Sequence, residues 1–216
     1  MSTTTTVERG AKAGMVGGAL WLLLPAAMAV SLEDVESGTV SYVAVAASYW
    51  IFAVLPLALL LAGLVALRSA LSGRAGRAGT AGIAMSVLGM VAMLVGNGIE
   101  VASITVGAGE SSAGHFAFLI GFLVLIAGSV PLGIVVFRRA GDGLARTGGM
   151  LLALALPLGI GLGFLGSVVA PGNDVGFWTA ITTPTAVAWV LLGRSLTSAG
   201  SRLTTAGAER MVPTTN

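Results

Sequence analysis

The residues best able to do chemistry lie on one face of one apolar segment. Advancing about 100° per residue, Ser86, Met90, Met93, Asn97 and Glu100 fall within an arc of about 80°. Ala84, Leu88, Val91, Val95 and Ala102 take the opposite side, the one suited to lipid. A carboxylate and an amide one turn apart can bind a cation, a proton or a polar solute, and acids inside a membrane are costly enough to be seldom idle. A plainer reading competes. Residues 81–99 already number nineteen, enough to span, so Glu100 can emerge at the interface with its carboxylate in water.

No other set of residues forms a reactive constellation. Cysteine is absent and His115 is the sole histidine, which excludes disulfides, thiolate chemistry, Cys/His zinc sites and bis-histidine haem ligation within this chain. His115 and Glu110 share one short connection, where they could sense pH or hold a metal weakly. Two ligands make a poor site, so no metal or other cofactor is expected. Intramembrane serine proteases and metalloproteases both need histidines that this chain lacks, and no catalytic residue is assigned.

These residues must be positioned by membrane helices. Of 216 residues, 56% are hydrophobic and 9% charged, against roughly a quarter charged in a soluble domain. Six apolar segments, at 13–30, 41–67, 81–105, 115–137, 147–170 and 175–193, each approach the ~20 residues that a helix needs to cross the hydrocarbon. The fold class expected is all-α, a bundle of about six transmembrane helices over 13–193, with polar tails at 1–12 and 194–216. No connection is long enough to hold a soluble domain.

Charge sets the orientation. Arg9 and Lys12 precede the first segment; Arg68, Arg74 and Arg77 follow the second; Arg138, Arg139 and Arg146 follow the fourth; Arg194, Arg202 and Arg210 follow the sixth. The alternate connections carry Glu33, Asp34, Glu36, Glu110 and Asp174 and no basic residue. The positive-inside rule then places both termini in the cytoplasm of a cell membrane, in a multi-pass arrangement. The first segment, with its small-residue triplet Ala27, Met28 and Ala29, also imitates a cleavable signal peptide, but it exceeds the ~7 to 15 apolar residues of that class.

Pro25, Pro56, Pro131, Pro157 and Pro184 mark a possible kink in five segments, and Gly96 and Gly98 flank Asn97 in the remaining one. Thr179, Thr182, Thr183 and Thr185 surround Pro184 and suit packing between helices. Gly14 with Gly18, and Gly159 with Gly163, would let helices approach closely. Tyr42, Phe116 and Trp178 sit where rings anchor at headgroup level. Residues 63–79 match 133–149 at seven of seventeen positions, a faint parallel repeat.

The six short-looped helices, Glu100 late in the third, and the closing stretch Ala188-Trp189-Val190-Leu191-Leu192-Gly193-Arg194 resemble six-helix prokaryotic membrane proteins of unknown function. The resemblance implies a layout and no activity. Three function classes remain open: a non-catalytic accessory or structural component, which the residues favour; a transporter or channel for an ion, proton or small solute, using the Asn97/Glu100 face; and an enzyme acting on lipid. Expected partners are the bilayer and either a second copy or another membrane protein, with no nucleic acid.

Overall fold

The computed structural model describes residues 3–24, 35–169 and 174–209, and every regular element among them is helical. They are α1 (Thr3–Leu22), α2 (Val40–Ala70), α3 (Gly76–Thr105), α4 (Ser112–Arg139), α5 (Gly143–Ala153), α6 (Ala155–Val169) and α7 (Asp174–Glu209). Each apolar segment of the sequence falls on helical backbone over the residues described, the fifth as the pair α5–α6. Pro25, the Ala27–Ala29 triplet, Glu33, Asp34 and Arg210 lie outside the described residues.

Local sequence explains where helices begin. Thr39, Ser111 and Asp142 sit in extended conformation before α2, α4 and α5, and their side chains accept from the backbone N–H groups of Tyr42 (3.2 Å), Gly114 (3.3 Å) and Ala145 (2.9 Å). On α1, the Lys12 ammonium donates to Glu8 over 2.7 Å and holds that exposed carboxyl below its usual range.

Proline shapes two of the helices. In α2 the backbone widens into a π turn at Trp50–Val54, directly ahead of Pro56, which has no N–H to give and whose ring crowds the preceding turn. Between α5 and α6 the axis bends by 69° at Leu154, three residues before Pro157. Pro131 and Pro184, by contrast, lie inside the continuous helices α4 and α7.

Helices α2, α3 and α4, of 31, 30 and 28 residues, are long and apolar enough to cross a membrane, and the α5–α6 pair makes a fourth crossing if counted as one bent span. From α1 to α5 each helix runs antiparallel to the one before it. Hence Arg68, Arg74, Arg77, Arg138, Arg139 and Arg146 gather at one end of the bundle, and Glu36 and Glu110 at the other. None of those six arginines pairs with a carboxylate among the described residues.

Backbone proximity organises the packing. The most extensive contact joins α3 to α4, where Gly82, Gly89 and Gly96 meet Gly128, Gly121 and Gly114 in antiparallel order. A Cβ on Gly82 would lie 2.8 Å from the Leu132 nitrogen, and one on Gly121 would lie 2.6 Å from the Met93 nitrogen. No side chain fits there. Within lipid, where apolar burial gives helices no preference for each other, such close approach supplies dispersion and weak Cα–H···O contacts instead.

Helix α1 is held between α2 and α7 by the same device. Gly14 faces Gly63, a Cβ on Gly18 would reach the Ala186 carbonyl at 2.6 Å, and Trp189 lies across the crossing. Gly159 likewise sits against Ile181. At the arginine-rich end, the Ser195 hydroxyl donates to Asp142 over 2.6 Å, tying α7 to the cap of α5. The two stretches of the faint repeat share a helix–turn–helix layout but pack differently. Gly133 and Gly149 close on each other, whereas Gly63 faces α1 and Gly79 faces Val135 of α4.

Candidate functional site

The polar face of α3 turns inward as its spacing predicts. Ser86, Met90 and Met93 are buried, while Leu88, Val91 and Val95 stand exposed on the opposite side. The candidate residues separate along this face. Asn97 and Glu100 reach a cavity of about 190 Å³ at the acidic end of the bundle. Ser86, Met90 and Met93 do not line that cavity, and the two methionines are each 0% exposed.

Each wall has a local cause. Gly114, the third residue of α4, brings that helix so near α3 that a Cβ on it would sit 3.0 Å from the Glu100 nitrogen. His115 follows, and its Nδ1 lies 3.5 Å from Glu100 Oε1. At that separation the contact is electrostatic more than a well-formed hydrogen bond. Glu100 is neither free in water nor sealed in, with 19% of its side chain exposed. Glu110 lines the same cavity from the α3–α4 connection.

The π turn supplies another wall. Tyr49 and Ala53 of α2 line the cavity, and the Asn97 Nδ2 donates to the Ala53 carbonyl over 3.0 Å. The widened turn thus has a backbone acceptor satisfied from a neighbouring helix, a common way for proline-disturbed membrane helices to meet their hydrogen-bonding needs. Asn97→Ala is expected to cost about 1 kcal/mol of stability. Unfolding by denaturing detergent would read this, and an unchanged midpoint would count against the bond.

Among the described residues no group of three or more His, Asp or Glu could hold a metal ion. Tyr42 donates its hydroxyl to the Thr105 carbonyl at 2.8 Å and closes the end of α3. Phe116 is exposed. Comparison with protein-family models, curated proteins and solved structures gives no match. The site is therefore read on its own chemistry.

Sequence reasoning missed Trp21 and Phe118, which also line the cavity, and Phe118 stacks against Phe122 with ring centroids 6.3 Å apart. Nothing in the local sequence of either marks it for this place. Among the described residues two buried polar atoms, Ser86 Oγ and Trp189 Nε1, have no hydrogen-bond partner. Both lie in close-packed helix contacts away from the cavity.

Proposed function

We propose that this chain is a six-span protein of the cell membrane, with both ends cytoplasmic, acting as a non-catalytic accessory or structural component. One observation carries the reading: inward of Asn97 and Glu100 the polar face of α3 continues in Met90 and Met93, both fully buried and neither lining the cavity. Glycine-to-glycine packing of α3 on α4 supports a rigid bundle over one that opens and closes. The segregation of arginine and acid to opposite ends supports the orientation. The work of such a component is to occupy the membrane and present surfaces to a second copy or another membrane protein.

A second reading is favoured by the Glu100–His115 contact, since paired ionisable groups at a membrane cavity suit movement of a proton or cation. Flux separates the two. Liposomes containing the purified chain are expected to hold proton, sodium and potassium gradients as well as protein-free liposomes do. A leak that disappears in a folded Glu100→Gln variant would replace the accessory reading with transport.

A further inference from the structure

We propose that the cavity at the acidic end binds a small organic ammonium cation, with Glu100 and Glu110 as counter-charges and Trp21, Tyr49 and Phe118 as ring surface. The inference rests on the accessory reading and names what would occupy the cavity.

Charge selects a cation. Among the described residues two carboxylates line the cavity and no lysine or arginine does, and the connections at 35–39 and 106–111 add no basic residue. Among the described residues His115 is the one nitrogen base in the wall, and it already lies beside Glu100. An anion would meet uncompensated repulsion from Glu110.

Ligand count and ring content then select an organic cation over a metal ion. A bare divalent ion wants six or more oxygen ligands, or at least three protein donors, and no such group is present among the described residues. An alkylammonium asks for less: a carboxylate or two at a distance, and aromatic faces against which its carbon substituents lose water. Three aromatic side chains from α1, α2 and α4 meet this need in one cavity. Its volume of about 190 Å³ lies below the ~300 to 1,000 Å³ of sites for drug-sized ligands, which limits the guest to a few heavy atoms.

The same chemistry is offered by a free amine in solution and by the headgroup of an ethanolamine lipid. The full chain in nanodiscs of phosphatidylglycerol, which has no ammonium group, should show a saturable rise in Tm with tetramethylammonium or ethylammonium chloride. Sodium chloride at equal ionic strength should not reproduce it. Glu100→Gln should weaken the apparent affinity at least tenfold, Glu110→Gln less so, and Gly98→Ala, whose added methyl meets nothing within 4 Å, should leave it unchanged.

In phosphatidylethanolamine nanodiscs a lipid occupant leaves no further response to added cation, whereas a soluble occupant leaves the response intact; either result assigns the source of the bound ammonium. Equal responses to sodium and organic cations, or titrations unmoved by both Glu variants, overturn the proposal. If Glu100→Gln fails to fold by circular dichroism, Tyr49→Leu carries the test, and unchanged affinity there is equally damaging. Loss of this inference in gradient-tight liposomes leaves the accessory reading standing, while a leak stopped by Glu100→Gln removes that reading whatever the cavity binds.

Discussion

Gly89→Ala is expected to destabilise the protein by about 3 kcal/mol, although alanine is the better helix former by about 1 kcal/mol. The added methyl would project into the backbone of α4, 2.6 Å from the Gly121 carbonyl oxygen and nearer still to the Leu125 nitrogen. Backbone atoms of a packed helix cannot step aside as a flexible side chain can. The helices must separate locally, and contacts around Met90, Met93 and Leu125 loosen together. Gly98→Ala is the matched control, since the same methyl there meets no atom within 4 Å and only helix propensity acts. Unfolding midpoints in denaturing detergent should fall for the first and hold or rise for the second. Equal effects at the two positions would mean that α3 and α4 are not in this register.

Asp142→Ala should cost about 2 to 3 kcal/mol. One oxygen of this carboxylate accepts from the Ala145 nitrogen at 2.9 Å and caps α5, a contribution of about 1 kcal/mol. The other accepts from the Ser195 hydroxyl at 2.6 Å, a hydrogen bond to a charged group, for which about 1.5 kcal/mol or more is usual. The effects are separable. Asp142→Asn retains a capping oxygen and should cost less than alanine. In a double-mutant cycle with Ser195→Ala, the two changes together should cost less than their sum. Strict additivity would show that α7 is not tied to the α5 cap.

Much of this architecture is legible in the residues because apolar run length and helical periodicity can be read directly from them. Runs near twenty apolar residues fall on the helices, and the 100° periodicity of α3 correctly separates the buried Met90 and Met93 from the exposed Leu88 and Val95. The glycine contacts are legible only in part. Gly82, Gly89 and Gly96 recur every seven residues, as do Gly114, Gly121 and Gly128, yet with 32 glycines in the chain that spacing hardly stands out. Gly96 and Gly98 look alike in sequence and differ entirely in what they face. The cavity was least accessible to such reasoning. Trp21, Tyr49 and Phe118 come from three separate segments, and the partner of Asn97 is a main-chain carbonyl, which has no side-chain signature. A proline marks a disturbed helix, but sequence does not say whether the outcome is a π turn, as before Pro56, a 69° bend, as before Pro157, or an unbroken helix, as at Pro131.

The orientation of the bundle underlies every functional statement, and the cysteine-free sequence permits a clean test of it. Single cysteines would be placed in full-length protein at Ser37 and Ala108, on the acidic end, and at Ser72 and Gly141, on the arginine-rich end. Intact cells would then be treated with a membrane-impermeant maleimide. Labelling of Ser37→Cys and Ala108→Cys from outside, with Ser72→Cys and Gly141→Cys reacting only after permeabilisation, is the predicted result. The reverse pattern, or labelling of both ends in intact cells, would contradict the account and put the Glu100 cavity on the wrong side of the membrane or outside one altogether.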